Sequence, residues 1–98
     1  MVRAIVLNPS DNVATLIDNG AAAATAVELR GERTGKVALK QDIPFGHKVA
    51  LAAIAKGSDV IKYGKVIGET TAAIQAGEHV HVHNVDSKRG RGDKLKKS

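Results

Sequence analysis

The chain has 98 residues, no cysteine and two aromatic residues, Phe45 and Tyr63. Its length allows a single domain with a small aliphatic core, and the lack of cysteine excludes disulfides and Cys-based zinc sites. Residues 1–87 contain nine Lys/Arg and nine Asp/Glu, so the net charge of +5 comes entirely from residues 88–98. So thin a core indicates either a simple packing layer or a surface that another chain completes.

The first half of the chain alternates short apolar segments with turn residues. Four short strands are predicted there, at residues 3–7, 13–17, 26–29 and 36–39. Residues 8–12, Asn-Pro-Ser-Asp-Asn, form a turn between the first two, because these side chains bond the local backbone and proline fixes φ. Asp11 and Asn12 are assigned to this turn rather than to a binding site. The alanine-rich residues 21–26 favour a helix but leave room for about one turn.

The second half contains an internal repeat. Residues 43–49, 54–60 and 74–80 all read Ile-x-x-Gly-x-x-Val. The isoleucine is predicted to anchor in the core, the glycine to supply a turn position with positive φ, and the valine to begin a strand. The spacing between copies is unequal, which excludes a solenoid and favours a meander of short strands.

The two ends of the chain suggest a location and exclude some partners. The apolar run at residues 4–7 is too short for a signal peptide, and no stretch approaches the roughly 20 apolar residues that span a bilayer. A cytoplasmic protein without membrane contact is expected. The basic residues 88–98 are predicted to be a flexible tail, solvated or docked on a partner. Nucleic-acid binding through the tail is an alternative, weakened because no aromatic residue accompanies the charges.

Histidines are concentrated in residues 77–84. On a strand, side chains alternate, so His79, His81 and His83 would face one way while Val80 and Val82 enter the core. Neighbouring imidazoles on that face are roughly 6.7 Å apart and the outer pair roughly 13 Å. Since metal–nitrogen bonds are near 2.1 Å, the run supplies two ligands to one ion at most.

Further ligands would have to come from outside this run. His47 and Asp11 are the candidates in this chain, and a second subunit is the better source. An imidazole-rich site completed by oxygen ligands suits iron, manganese or zinc. The alternative is that these histidines are polar residues on the wet face of an edge strand.

Several segments, in order along the chain, resemble the altronate/galactarate dehydratase family. They are Asn-Pro-Ser-Asp-Asn-Val-Ala at residues 8–14, Ile-Pro-Phe-Gly-His-Lys at 43–48, Ile-Lys-Tyr-Gly-Lys-Val-Ile-Gly at 61–68 and His-Val-His-Asn at 81–84. Each segment alone is a weak signal, and the ordered set is specific. The residues alone predict a mostly β chain of short strands with one or two helical turns, and the resemblance implies that residues 1–87 form a SAF-type β-clip domain.

The resemblance also implies a function. Long family members carry this unit before a larger catalytic part, and residues 87–93 resemble the end of small subunits of split enzymes, such as that of sulfolactate sulfo-lyase. The chain is therefore expected to be a small subunit, inactive alone, of a lyase that acts by β-elimination on a 2-hydroxy acid. Altronate, galactarate and sulfolactate are the implied substrates. A divalent metal shared with the large subunit, Fe²⁺ or else Mn²⁺ or Zn²⁺, is the implied cofactor.

Site residues are carried over on matching positions. The metal ligands are His81 and His83; the catalytic residues are His81, His83 and His47; and the substrate contacts are Lys62, Tyr63 and Asn84. A core tyrosine beside an exposed lysine is the alternative for Tyr63 and Lys62. His79 departs from the family's strand pattern and is expected to be a surface residue only.

Two further alternatives stay open. SAF-type domains also occur as binding modules, so a stand-alone ligand- or metal-binding role without catalysis is the second hypothesis. A homo-oligomer is the other alternative, because a protein with so small a core can self-associate through the surface meant for its partner.

Overall fold

The computed structural model describes residues 2–87, which form nine short strands and no helix. The strands are β1 (Arg3–Val6), β2 (Val13–Leu16), β3 (Ala26–Gly31), β4 (Gly35–Ala38), β5 (Lys48–Ala50), β6 (Asp59–Lys62), β7 (Lys65–Thr70), β8 (His79–Val80) and β9 (Val85–Ser87). The predicted mostly β fold is confirmed, and the predicted helical turns are wrong. Nothing in this part of the chain is a helix long and apolar enough to cross a membrane. The tail at residues 88–98 lies outside the described residues.

The strands form two sheets. The larger has the order β4-β3-β1-β2-β5-β8 and the smaller the order β6-β7-β9. Among the described strands only β1 and β3 pair in parallel. β5 therefore lies between β2 and the two-residue edge strand β8, which carries the first histidine of the run.

Strands β2 and β5 are buried on both faces. Ala14 and Val49 belong to one apolar core, while their chain neighbours Val13 and Ala50 belong to a second. Side chains alternate along a strand, so this pair of strands separates the two cores and contributes to each. An aliphatic chain of this size stabilises two small cores in this way without large aromatic residues.

The three predicted repeats are confirmed as turns of one kind. In each, the isoleucine and the final valine are buried, and the glycine has a positive φ: 81° at Gly46, 80° at Gly57 and 90° at Gly77. The residue after the glycine donates its backbone N–H to the carbonyl three residues earlier, as His47 does to Pro44 at 3.2 Å. A glycine at positive φ in the third position is typical of a type II turn.

The alanine-rich segment is a fourth copy of the same turn. Ala24 has a φ of 73°, Thr25 N–H donates to the Ala22 carbonyl at 3.2 Å, and Val27 is fully buried. Ala21 forms an isolated bridge with Ile43, as Ile54 does with Ile74. Ala24 stands where the other copies have glycine, and Ala21 stands where they have isoleucine. The sequence pattern Ile-x-x-Gly-x-x-Val therefore does not detect this copy.

The turn at residues 8–12 holds the hairpin of the smaller sheet. The buried Asp11 carboxylate accepts the backbone N–H groups of Tyr63 at 3.1 Å and Gly64 at 2.8 Å, the two positive-φ residues between β6 and β7. Asn12 bonds the backbone of β6 with both ends of its amide. Asp11 is therefore a turn-capping residue, as predicted, and its oxygens are engaged away from the histidines.

Two of the repeat glycines offer a matched test of the turn. Gly46→Ala is expected to cost about 1 kcal/mol, because only the left-handed φ opposes a side chain there and the surrounding space is open. Gly77→Ala is expected to cost about 3 kcal/mol or more, because the added Cβ would overlap the carbonyl oxygen of Ala38 and the backbone would have to move. Urea denaturation measures both. Equal losses of unfolding free energy in the two variants would show that the close approach of Ala38 does not prevent a side chain at residue 77.

Candidate metal centre at the histidine cluster

Three of the four histidines meet where β5 pairs with β8. His47 ends the first repeat turn and His79 begins β8, whose pairing places His79 opposite Val49. His47 Nδ1 lies 2.8 Å from His79 Nε2. The His81 ring stacks on the His47 ring with centroids 4.0 Å apart. We call these three residues the histidine cluster.

The spacing of the cluster fits one metal ion. Each of the three residues offers one ring nitrogen, and these nitrogens all lie within 4.8 Å of one another. Two imidazole nitrogens at neighbouring positions of one ion lie about 3.0–3.4 Å apart when metal–nitrogen bonds are near 2.1 Å. Small side-chain rotations close that difference, so His47, His79 and His81 form a plausible three-nitrogen face.

An unpaired atom in the cluster supports the same interpretation. His81 Nδ1 is buried and has no hydrogen-bond partner among the described residues. A buried polar atom without a partner is costly, and it is uncommon in native proteins outside functional sites. A ligand bond to a metal would satisfy this nitrogen.

The predicted continuous histidine strand is wrong beyond Val80. β8 ends there, and residues 81–84 form a turn in which Asn84 N–H donates to the His81 carbonyl at 3.1 Å. The Asn84 side chain fastens this turn, because Oδ1 accepts the His81 N–H at 3.0 Å and Nδ2 donates to the His79 carbonyl at 2.8 Å. Val82, predicted to enter the core, is 81% exposed.

This turn changes which histidines come together. His79, expected to be a surface residue only, is half-buried and inside the cluster. His83 is exposed, with its ring tilted and its centroid 5.0 Å from that of His79. The sequence analysis placed His47 and His81 in one candidate site, and the structure brings their rings into contact. The pairing of β5 with β8, which selects His79, has no signal in the local pattern.

Burial favours the uncharged form of two histidines of the cluster, His79 and His81. Loss of hydration lowers the pKa of His79 to about 4, with further lowering by the charges of His83, His47, His81 and Lys48. The pKa of His81 is lowered for the same first reason. Neutral imidazole is the form that binds a metal, so the environment favours the ligand state at neutral pH.

The predicted substrate contacts lie on two elements. Lys62 is half-buried at the end of β6, and its Nζ lies 5.2 Å from the Tyr63 ring centroid. Tyr63 is 60% exposed, so the alternative of a core tyrosine is wrong. The Asn84 amide is bonded to the backbone at both ends, so it would contact a substrate through its second N–H or its second oxygen lone pair. The sequence interpretation missed Lys48, half-buried beside the cluster, whose pKa is lowered by burial and by the charge of Lys62.

Comparisons with known proteins identify the family to which this fold belongs. The altronate/galactarate dehydratase SAF domain matches residues 2–88. The chain is 39% identical over 88 residues to the (2R)-sulfolactate sulfo-lyase subunit alpha of Chromohalobacter salexigens, covering 87% of this chain and 94% of that protein. It is 46% identical over 80 residues to the altronate dehydratase of Escherichia coli, covering 82% of this chain but only 15% of that enzyme.

The lowered pKa of His79 predicts a pH dependence of stability in the metal-free chain. A histidine in the unfolded chain takes up a proton near pH 6.5, whereas folded His79 resists it down to about 4. Stability is therefore fully present above pH 6.5 and falls as the pH is lowered towards 4. The difference between the parent chain and His79→Asn, measured by urea denaturation across this range, isolates the effect. A folded-state NMR titration midpoint near 6.5 for His79 would contradict it.

Proposed function

The chain belongs to the altronate/galactarate dehydratase SAF-domain family, and we propose that it acts as the small subunit of a lyase that carries out β-elimination on a 2-hydroxy acid. The reaction would be loss of water from a sugar acid such as altronate or galactarate, or loss of sulfite from sulfolactate. The subunit arrangement is supported by the match to a protein named as an alpha subunit, which the chain covers over 94% of its length.

We propose that a larger catalytic subunit completes the active site. The chain spans 15% of the altronate dehydratase it matches, so most of that enzyme has no counterpart here. The histidine cluster lies at the two-residue edge strand β8 rather than in an enclosed cavity, which leaves one side of it open to a partner. Substrate selection would then depend largely on the partner's residues.

The observation that carries the proposed chemistry is the histidine cluster. Three ring nitrogens within 4.8 Å and the unpartnered His81 Nδ1 favour a divalent metal, with Fe²⁺ first and Mn²⁺ or Zn²⁺ as alternatives. The ligand set proposed from the structure is His47, His79 and His81, in place of the pair His81 and His83. When bound, such an ion supplies a Lewis acid that polarises the oxygen atoms of the hydroxy acid.

The remaining residues would bind and orient the substrate. Elimination requires a base for the proton next to the carboxylate and an acid at the leaving group. His83 is the histidine outside the cluster, exposed at the turn, and is the candidate in this chain for moving a proton. Lys62 supplies positive charge for an acid, and Tyr63 beside it presents an exposed hydroxyl.

Metal affinity distinguishes the two ligand sets. His47→Ala, His79→Ala and His81→Ala are each expected to weaken Zn²⁺ or anaerobic Fe²⁺ binding about a hundredfold, since each ligand contributes a few kcal/mol. His83→Ala, on the same turn, is the matched control and is expected to leave affinity within a few-fold. Isothermal titration calorimetry on the full chain measures this, with circular dichroism to check folding. If His83→Ala weakened metal binding as much as the other three variants do, the result would favour the ligand pair His81 and His83 that was predicted from the sequence.

The partner and the reaction are tested together. The tagged chain should recover a larger protein from an extract of its own cells, and the complex should release water or sulfite from altronate, galactarate or sulfolactate with added Fe²⁺. His81→Ala is expected to lower this activity about a hundredfold or more. A chain that binds metal but recovers no partner and no activity would instead be a stand-alone binding module.

A further inference from the structure

A cavity of about 220 Å³ opens beside the histidine cluster. Its polar lining consists of Lys48, His81 and Ser87, and Ile67, Val80 and Val85 belong to its apolar wall. Lys48 and Val80 are directly paired across β5 and β8, so both side chains leave the sheet on the same face. The cavity therefore connects a candidate metal ligand to a lysine along an aliphatic surface.

Within residues 2–87, Lys48 has no carboxylate at ion-pair distance. It is half-buried, and no carboxylate among residues 2–87 forms an ion pair with it, in contrast to Arg3 and Arg30, which pair with Asp18 and Glu28. The charged group acting on it is a second ammonium, that of Lys62. A half-buried cation beside a like charge is unfavourable unless an anion joins them.

The two buried side-chain atoms without hydrogen-bond partners in the described chain both belong to neighbours of Lys48. One is His81 Nδ1, in the same cavity wall, and the other is the hydroxyl of Thr15, the residue that pairs with Lys48 across β2 and β5. Buried polar groups are nearly always satisfied elsewhere in native structures. Both unsatisfied atoms thus belong to residues that adjoin Lys48 in the fold, and one of these residues, His81, lines the cavity with it.

We propose that this cavity binds the carboxylate group of the substrate, with the Lys48 ammonium as its counter-charge. The inference rests on the proposed function and assigns the acid end of the hydroxy acid to a residue of this chain. The aliphatic wall excludes water from one side of the ion pair and so strengthens it. A carboxylate held there lies next to His81, which brings the adjoining carbon and hydroxyl to the histidine cluster.

A wider surface depression, of about 610 Å³, is the other candidate in this part of the chain. It is lined by Val2, Ile17, Asn19, Phe45 and Asp18, whose carboxylate is already bound by Arg3. It presents no imidazole and no free cation. Its chemistry does not suit an acid, whereas that of the cavity at Lys48 does.

Lactate and lactamide test the assignment, because both carry the 2-hydroxy group and only lactate carries a charge. In NMR titrations of the metal-free, isotope-labelled full chain, lactate is expected to shift the amide signals around the cavity saturably, and lactamide is expected to shift none. Lys48→Met, which keeps the aliphatic stem, should weaken lactate binding about tenfold. This loss lies between those expected on removing one partner of an exposed ion pair and of a buried one. Lys48→Arg should retain binding. Lys36→Met, on the opposite edge strand β4, is the matched control and should bind as the parent does.

Equal lactate binding by the parent and Lys48→Met, or equal binding of lactamide, would overturn the assignment. In the assembled lyase, Lys48→Met is expected to raise KM more than it lowers kcat, as loss of a ground-state contact does. Lactate binding that depends on Lys48 in a chain without lyase activity would leave the site standing while the proposed function fails. An active lyase whose KM is unchanged by Lys48→Met would support the proposed function and overturn the carboxylate site at Lys48.

Discussion

The pairing of β5 with β8 is the interaction on which the site depends. Two register pairs, Lys48 with Val80 and Val49 with His79, join segments that are separated by about 30 residues of chain. One face of this pairing brings His79 to His47, and the other brings the Lys48 side chain to Val80 and the cavity. So short a ladder is stable because its inward residues, Val49 and Val80, are fully buried in different cores.

The repeated turn explains how a chain with little aromatic content positions these strands. Each copy places an aliphatic residue, buried in three copies and partly buried at Ala21, before a tight turn and a buried valine after it, so the chain re-enters a core within seven residues. Ala21 bridges Ile43 and Ile54 bridges Ile74, which ties the four turns into two pairs. The turn at residues 43–49 leads to His47 and the turn at residues 74–80 leads to His79, so the same type of turn positions both imidazoles.

Much of this fold was predictable from the sequence because its signals are local. The Ile-x-x-Gly-x-x-Val turns and most strands follow from residue type within seven positions.

The fourth turn was missed because Ala24 adopts a φ of 73°, and an alanine gives no indication of a left-handed backbone. The histidine run was predicted as a strand from its alternation. Asn84 overrides that pattern, because its side chain bonds the His81 N–H and the His79 carbonyl and so holds the chain in a turn. Lys48 was overlooked because its significance depends on which charges are absent around it, a property of the tertiary structure.

The composition of the cavity limits what this chain can recognise. Its walls other than Lys48 and His81 are mainly aliphatic, and a polyhydroxy acid needs hydrogen-bond partners for each hydroxyl that leaves water. In the proposed arrangement the lysine would satisfy the carboxylate end, and the candidate metal ligands would face the neighbouring oxygen atoms. Among the described residues that line the cavity, Ser87 is the one further polar side chain, so most hydroxyl groups farther along a substrate, or the sulfonate of sulfolactate, would need partners outside it. On this proposal, discrimination among these acids would depend on groups outside the cavity.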